Sequence, residues 1–319
     1  MPGLPRVAVL GAGAVGCYYG GMLARAGAPV TLIGRANHVA AIQRDGLWFE
    51  SPGFAGPGYT LPAFQGHIPV AASTQTEAVR DAQLVLCCVK STDTERAARD
   101  MALLLPPEAL VLSLQNGVDN AARLAAVLGP SGARVASAVV YVACTMTGDG
   151  RVRHNGAGHL VIGDGTDGAD LRSLSGQLDS AGIPCRVSDN IAGELWVKLV
   201  MNCAYNAISA LGRSRYHRIV EDPAALELMR AAVREVLAVA QAAGVRMPPG
   251  DHVDAACRLA DAMPQATSST AQDIARGRQT EIDHLNGHVA ALGERLGVPV
   301  PVNRTLTTLV QLLERQPAA

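Results

Sequence analysis

The sequence predicts an α/β protein whose first part is built on a parallel β-sheet and whose second part is all helical. Short apolar runs of β-type residues at Val7–Leu10, Val30–Ile33 and 84–89 alternate with helical segments up to about residue 190. Beyond that point apolar residues recur at helical spacing. We therefore expect two domains, residues 1–188 and residues 189–319, with a ligand cleft between them as the usual place for a site.

The composition is that of an ordinary globular protein, with 49% hydrophobic and 17% charged residues. A formal net charge of −1 provides no bulk attraction to nucleic acid or an anionic membrane. The apolar run from Val7 passes directly into a glycine motif, which predicts a strand rather than a signal peptide, and no apolar run approaches the roughly 20 residues that span a bilayer. Seven scattered cysteines lack metal-binding spacing and favour reduced, buried thiols. We expect a cytoplasmic protein with no bound metal.

A glycine motif directly follows the first predicted strand and opens a helix that ends near Gly27. Its context, strand, G-x-G-x-x-G, helix and second strand, is typical of the dinucleotide-binding turn of a Rossmann-type domain. Glycines allow the backbone to approach a pyrophosphate, which then lies at the positive end of the helix. The residues predicted to bind the dinucleotide here are Gly11, Ala12, Gly13, Ala14, Val15 and Gly16.

The end of the second strand indicates which dinucleotide is bound. NAD-preferring sites usually carry Asp or Glu at this position, whereas this chain has Gly34-Arg35. An arginine can pair with a 2′-phosphate through charge-assisted, often bidentate hydrogen bonds. We therefore predict NADP(H) as the cofactor; the alternative is a surface arginine without a ligand.

Two polar residues follow core strands of the predicted sheet. Lys90 ends the run 84–89, and Asn116 follows the run 110–114. Ligands of open parallel sheets bind outside the carboxyl ends of the strands, which favours a cofactor role for both residues. An exposed lysine and an ordinary Asn-Gly turn are the alternatives.

A polar stripe crosses an otherwise apolar helix near the start of the second half. Glu194, Lys198, Asn202 and Asn206 recur every fourth position and share one helical face. A solvated stripe with a Glu–Lys pair, worth about 0.3–0.5 kcal/mol, would explain Glu194 and Lys198. It would not explain the two asparagines, because solvent-facing helix positions usually carry better helix formers. The stripe is therefore a candidate site.

Three further segments carry predictions of their own. Residues 147–158 predict a polar, glycine-rich connection before a strand at 159–162, and residues 265–278 predict a helix. His154 and His159 lack partners at metal spacing and are interpreted as structural. A second polar cluster comprises Ser268–Thr270, Asp273, Arg276 and 280–283. Helix capping would explain Ser268 or Thr280 without any ligand, surface charge would explain Arg276, and a function for Glu281 is left open.

These motifs together resemble the ketopantoate reductase (2-dehydropantoate 2-reductase) family over essentially the whole chain. The more specific strings are Glu194-Leu-Trp-Val-Lys198-Leu with Asn202 and Asn206, and Ser268-Ser-Thr-Ala-Gln-Asp-Ile274 leading to Thr280-Glu281-Ile-Asp283. The resemblance implies NADPH-dependent reduction of ketopantoate to pantoate in pantothenate synthesis.

The resemblance also implies roles for individual residues. Lys198 matches the catalytic lysine, and Glu281 an acidic residue beside the cofactor that orients the cofactor or the lysine. Asn116 matches a residue near both nicotinamide and substrate. Substrate contacts are implied for Asn202, Asn206 and Ser269, and cofactor contacts for residues 11–16, Arg35 and Lys90.

One departure from the family pattern concerns residues 212–217, where some members carry a further asparagine and this chain has Tyr216 nearby. Paralogues that reduce other branched or bulky 2-keto acids share the same motifs, so they remain an alternative. A non-catalytic NADP(H) sensor is a second alternative, which the intact stripe argues against. The apolar C-terminal helices are compatible with a homodimer.

Overall fold

The computed structural model describes residues 3–56, 58–163 and 169–316. Its contacts divide the chain into two compact units. The first contains residues 1–115 and 119–191, and the second contains residues 116–118 and 192–319. Residues 116–118 thus belong by contact to the second unit, although they follow a strand of the first.

The first unit alternates strands and helices, as the sequence predicts. Its described elements are β1 (Val7–Leu10), α1 (Ala14–Arg25), β2 (Val30–Ile33), α2 (Ala36–Asp45), β3 (Leu47–Ser51), β4 (Phe54–Gly56), β5 (Tyr59–Leu61), β6 (Phe64–Ile68), β7 (Ala71–Ser73), β8 (Leu84–Cys87), α3 (Thr94–Ala102), β9 (Leu110–Ser113), α4 (Asn120–Leu128), β10 (Arg134–Gly148), β11 (Arg151–Gly163), α5 (Ala169–Ser180) and β12 (Cys185–Val187).

Within the described residues, ten of these strands form one mixed sheet in the order β6-β3-β11-β10-β9-β8-β1-β2-β7, with β12 beside β11. Strands β10, β9, β8, β1 and β2 run parallel to one another, so they point their carboxyl ends towards the same edge, whereas β10 and β11 are antiparallel. Strands β4 and β5 form a separate hairpin. This edge of the sheet is where ligands of open parallel sheets bind.

Apolar side chains cover both faces of the central strands. All four residues of β1, β8 and β9 are buried, which explains why these strands are continuous apolar runs rather than alternating ones. One core cluster contains side chains of α1 and α5, such as Tyr19 and Leu174, and another contains side chains of α3 and α4, such as Met101 and Leu124. The sheet is therefore sandwiched between two helical layers.

The predicted connection at residues 147–158 is wrong in most of its length. Strand β11 begins at Arg151 and pairs with β10 from Gly148 back to Ser137. Glycines and charged residues weaken strand propensity in this stretch, but the hydrogen-bond ladder to β10 outweighs that preference. A short 3-10 turn, Thr76–Val79, precedes β8.

The described part of the second unit is built from helices. They are α6 (Ile191–Leu211), α7 (Tyr216–Glu221), α8 (Pro223–Ala242), α9 (His252–Ala262), α10 (Ser269–Ala275), α11 (Asn286–Leu296) and α12 (Pro301–Glu314). The predicted fold class, an α/β part followed by an all-α part, is confirmed.

Two helix starts in this unit show how local sequence sets the boundaries. The Asp222 carboxylate accepts hydrogen bonds from the backbone N–H groups of Ala224 and Ala225, both at 2.9 Å, and Pro223 is the first residue of α8. The helix predicted at 265–278 is shorter than expected, because Ser268 caps α10 and only seven residues follow in helical conformation.

None of the described helices is long and apolar enough to cross a membrane.

Candidate active site

The glycine turn lies between β1 and α1 and has the backbone that its sequence requires. Gly11 has φ of +109°, and a Cβ there would lie 2.7 Å from the carbonyl carbon of Cys88. A Cβ on Gly16 would lie 2.2 Å from the carbonyl oxygen of Gly11. Both positions therefore exclude a side chain.

The amino end of α1 is open to an anion. Gly13 is the N-cap, and a Cβ added to it would meet nothing within 4 Å. No side chain caps the helix and no acidic residue occupies its first turn, which begins at Ala14 and Val15. Hydrogen bonds to the end of β2 fix the turn, since the N–H groups of Gly11 and Ala12 donate to the carbonyl oxygen of Ile33 at 3.0 and 2.9 Å. These backbone groups fit a pyrophosphate.

Arg35 lies beside this turn. It is exposed and is the N-cap of α2, directly after β2. The preceding Gly34 packs so closely on the turn that a Cβ there would lie 2.6 Å from the Cβ of Ala12. His38, in contrast, accepts a hydrogen bond from the backbone N–H of Gly150 at 3.0 Å through Nδ1. Arg35 is thus the cation that this sheet edge presents next to the glycine turn.

A buried polar network, which the sequence did not reveal, connects the loops after β8 and β9. The Thr94 hydroxyl lies 2.9 Å from Asn120 Oδ1 and accepts a hydrogen bond of 2.8 Å from Gln115 Nε2. Asn120 Nδ2 donates to Ser91 Oγ at 3.2 Å, and Arg123 donates to Asn120 Oδ1 at 3.0 Å.

The network includes an ion pair, and two of its members are chain neighbours of the predicted site residues Lys90 and Asn116. Arg123 pairs with both carboxylate oxygens of Glu95, at 2.6 and 2.7 Å. Lys90, which is half-buried, directly precedes Ser91, and Asn116 directly follows Gln115. The network therefore holds the backbone on which Lys90 and Asn116 are carried. The only sequence signal was the density of Ser, Thr and Asn after two core strands.

Thr94→Val is expected to lower the free energy of unfolding by about 1–3 kcal/mol, because Gln115 and Asn120 would each lose a buried partner at nearly unchanged volume. Urea unfolding followed by circular dichroism measures this change. The matched control is Thr308→Val, since the exposed Thr308 hydroxyl donates to the Arg304 carbonyl oxygen at 3.1 Å on the surface of α12. Equal effects of the two substitutions would contradict a special role for the network.

The polar stripe lies on α6, and its four side chains are buried or half-buried. Lys198 is half-buried, and burial lowers its pKa to about 8, while the Glu281 carboxylate acts in the opposite direction. Asn206 is 3% exposed. Asn202 Nδ2 is buried and has no hydrogen-bond partner among the described residues. A solvated stripe is therefore ruled out for the two asparagines.

Asn116 and Glu281 meet within the second unit. Asn116 Nδ2 donates to Glu281 Oε2 at 3.1 Å, although 165 positions separate the two residues. Glu281 precedes a short 3-10 turn, and its neighbour Thr280 is held by Glu314, whose Oε1 accepts the Thr280 backbone N–H at 2.8 Å. Lys198, Asn116 and Glu281 are thus brought into one electrostatic environment.

Ser268 and Ser269 have different surroundings. Ser268 is buried and caps α10 by accepting from the Ala271 N–H at 3.0 Å, and its hydroxyl donates to the Asn206 carbonyl oxygen at 3.0 Å. Capping therefore explains Ser268, as expected. Ser269 is the exposed first residue of α10. The cap links the start of α10 to the part of α6 that carries Asn206.

Comparison with known proteins assigns the chain to a family. Residues 7–167 match the family model of ketopantoate reductase PanE/ApbA, and residues 190–314 match the model of its C-terminal part. The chain belongs to the ketopantoate reductase family. Membership in this family identifies the protein as an oxidoreductase, and the predicted resemblance is confirmed.

Several relatives cover nearly the whole chain. The 2-dehydropantoate 2-reductase of Halobacterium salinarum is 34% identical over 97% of this chain and 99% of its own length. A PanE/ApbA family ketopantoate reductase from Ralstonia eutropha JMP134, known from a crystal structure, is 50% identical with a TM-score of 0.89 and covers 97% of this chain and 98% of its own. A D-mandelate dehydrogenase solved with NADH and anilino(oxo)acetate is 26% identical with a TM-score of 0.83, at 97% and 98% coverage.

Tyr216, near which the chain departs from the ketopantoate reductase pattern, packs against a second tyrosine. The Tyr216 ring stacks on Tyr205 at 4.2 Å between centroids, and Tyr205 in turn donates its hydroxyl proton to the Ala256 carbonyl oxygen at 2.7 Å. Burial raises the pKa of Tyr216 to about 12. Tyr216 therefore packs inside the helical unit.

Proposed function

We propose that this protein reduces 2-dehydropantoate (ketopantoate) to pantoate with NADPH, a step of pantothenate biosynthesis. The observation that carries the proposal is the polar stripe of α6, where a lysine with a pKa near 8 shares a helical face with two asparagines. A proton donor and two amides suit a substrate with a keto oxygen, a carboxylate and a hydroxyl group. The names of the curated relatives support the same substrate.

The first unit supplies the cofactor contacts in this proposal. NADPH, when bound, supplies a hydride to the keto carbon of the substrate. The uncapped amino end of α1 and the glycine turn would hold its pyrophosphate, and Arg35 would hold its 2′-phosphate. We assign further cofactor contacts to Lys90, Asn116 and Glu281.

Lys198 acts as the general acid. When hydride reaches the keto carbon, negative charge develops on the keto oxygen, and an ammonium group placed there stabilises that charge and donates the proton of the new hydroxyl group. A pKa near 8 leaves the lysine mostly protonated at neutral pH and makes it a better acid than an exposed lysine. Glu281 acts on Lys198 through its negative charge, and it orients the Asn116 side chain by accepting its hydrogen bond.

Amide and hydroxyl groups hold the substrate. Asn202 Nδ2 is a buried donor without an acceptor among the described residues, an arrangement that costs free energy unless a ligand supplies the acceptor. Asn116, Asn206 and Ser269 provide further contacts. Neutral amides bind a carboxylate and a hydroxyl group without adding a second cation that would repel the proton of Lys198.

A second candidate function is the reduction of another branched or bulky 2-keto acid. The likeness to a D-mandelate dehydrogenase supports it, since that protein was solved with an aromatic oxo-acid ligand. Both reactions use the same lysine and asparagines, so only turnover separates them. A non-catalytic NADP(H) sensor is the third candidate.

The test is the loss of NADPH absorbance with ketopantoate, measured beside NADH and a panel of other 2-keto acids. Efficient turnover of ketopantoate with NADPH is expected. Turnover of another keto acid alone would favour the second candidate, and tight NADPH binding without any turnover would favour the sensor.

Arg35→Ala is expected to raise the KM for NADPH by about 10–100-fold and to leave the KM for NADH unchanged, because a charge-assisted hydrogen bond to the 2′-phosphate is worth about 1.5–3 kcal/mol. Initial rates with each coenzyme measure the two constants. Arg44→Ala is the control, since it removes the same charge from the last turn of α2. If Arg35→Ala changes both coenzymes equally, the guanidinium does not select for the phosphate.

A further inference from the structure

Two strands extend beyond the sheet edge on which the predicted cofactor residues lie. Ser137 of β10 pairs with Ser113, the last residue of β9. Tyr141 follows four residues later, so it lies about 13 Å past the carboxyl end of β9. Strand β11 returns along this extension and pairs His159 with Tyr141.

An aromatic layer, defined here as Tyr59, Tyr141 and His159, lies on this extension. The rings of Tyr141 and His159 are stacked, with 4.6 Å between centroids and 16° between planes. Tyr59, from the β4–β5 hairpin, places its hydroxyl 3.1 Å from His159 Nδ1. Burial, aided by the charge of Arg186, lowers the pKa of His159, so its ring is neutral at physiological pH.

Tyr141 and His159 lie on the face of the β10–β11 pair that is opposite the core cluster containing α1. The adjacent residues Val140 and Leu160 are 6% and 1% exposed and belong to the core cluster that contains α1. Side chains alternate along a strand, so Tyr141 and His159 point away from that core, and both are only half-buried. The layer is therefore a rigid, largely apolar surface that the α1 core does not use.

A β-bulge directly after the pair sets its orientation. The register shifts between Tyr141 and Val142, leaving Gly158 without a partner, and Ala157 next to it has φ of +55°. A Cβ on Gly158 would lie 2.2 Å from the Tyr18 hydroxyl oxygen, so the bulge is held by packing. If the aromatic pair only stabilised the two strands, it would need no bulge beside it. Bulges and non-glycine residues in the left-handed region are enriched beside active sites, where they change the direction of a side chain.

The order of strands places this layer beside the part of the sheet edge that would receive the reactive half of the dinucleotide. Along the sheet edge, Arg35 follows β2, the glycine turn follows β1, Lys90 follows β8 and Asn116 follows β9. A dinucleotide with its adenosine ribose at Arg35 and its pyrophosphate at the glycine turn extends its reactive half towards β8 and β9. Strand β10, which carries Tyr141, is the next strand in this direction.

We propose that Tyr141, backed by His159, is a specificity-determining residue whose ring contacts the carbon side chain of the 2-keto acid. The inference rests on the proposed function. A flat apolar ring favours substrates whose third carbon is branched or aromatic over pyruvate, which offers it only a methyl group. Tyr59 positions the layer through His159 and does not contact the substrate.

The experiment compares Tyr141→Ala and Tyr141→Phe with the unmodified protein on ketopantoate, phenylglyoxylate and pyruvate, with NADPH. We expect Tyr141→Ala to lower kcat/KM by about 10-fold or more for the two larger substrates and by less than about 3-fold for pyruvate, because each apolar group in such a pocket is worth about 10–200-fold. Tyr141→Phe keeps the ring and should retain the preference. The Kd for NADPH should be unchanged in both variants.

Titration of the NADP⁺-loaded protein with the same three keto acids gives an independent readout. If the unmodified protein turns over no keto acid but Tyr141→Ala selectively weakens binding of the larger ones, the proposed reaction fails and the specificity role stands. If Tyr141→Ala changes all three substrates equally, or none of them, or if no keto acid binds to the unmodified protein, the specificity role is overturned.

Discussion

Lys198→Ala is expected to lower kcat by about 10²–10⁴-fold, the usual contribution of a positioned general acid. The hydride acceptor would lose both the charge that stabilises its developing oxyanion and the proton that completes the hydroxyl group. Because Lys198 has no proposed contact with the glycine turn, the Kd for NADPH should change little. Stopped-flow or steady-state rates with saturating NADPH and keto acid measure the effect.

The pH dependence of activity in the unmodified protein should reveal the titration of Lys198. Reduction requires the protonated amine, so kcat/KM for the keto acid should be constant well below pH 8 and should fall as the pH rises through the Lys198 pKa of about 8. Glu281 holds this pKa up through its negative charge. Glu281→Gln should therefore move the fall in activity to lower pH.

Two outcomes would contradict this assignment. If Lys198→Ala kept near-normal kcat while Asn202→Ala abolished it, the proton donor would be wrongly identified. If Glu281→Gln left the alkaline limb where it is, the carboxylate would not act on the group that titrates. Lys198→Arg is a useful control, since it keeps the charge on a group that cannot be deprotonated in this range.

Gly11→Ala is expected to raise the Kd for NADPH by at least about 10-fold and to lower the free energy of unfolding by about 1–3 kcal/mol, the cost of a non-glycine residue in a strained backbone conformation. The new Cβ would lie 2.7 Å from the carbonyl carbon and 2.8 Å from the carbonyl oxygen of Cys88, and φ at this position is +109°. Backbone atoms at the end of β8 cannot move aside as a flexible side chain could. NADPH fluorescence titration and urea unfolding measure the two effects.

Two other glycines separate the binding effect from the folding effect. A Cβ on Gly129 meets nothing within 4 Å, and its φ is −47°, so Gly129→Ala should change neither quantity. A Cβ on Gly13 also meets no protein atom within 4 Å, but Gly13 is the N-cap of α1, where a pyrophosphate would approach. Gly13→Ala should weaken NADPH binding at unchanged stability. Unimpaired NADPH binding by both Gly11→Ala and Gly13→Ala would contradict the proposed cofactor site.

Features with a short repeat or a local signature could be predicted from the sequence. The glycine motif was recognisable because it lies between a strand and a helix, and the α6 stripe because its four residues recur at one helical spacing. The start of α8 at Asp222-Pro223 is a local feature of the same kind. In each case the physical cause lies within one or two turns of backbone.

Strand β11 could not be delimited in the same way. Arg151, Gly156 and Gly158 are poor strand residues, and their conformation depends on the ladder to β10. The length of α10 was also misjudged, since the helical pattern at 265–278 does not reveal that Ser268 is tied to Asn206 and starts the helix there. Pairing with a distant segment overrode local preference at both places.

The sequence by itself determined the fold class, the glycine turn, the cationic end of β2 and the four-residue stripe on α6, because backbone periodicity and turn chemistry are local properties. Only the tertiary structure decided that Asn116 bonds to Glu281, that Thr94 and Asn120 join the loops of β8 and β9, and that Tyr141 stacks on His159. These contacts join residues from 18 to 165 positions apart. They depend on which strands pair and where loops end, and a burial-lowered pKa such as that of Lys198 depends on the same long-range packing.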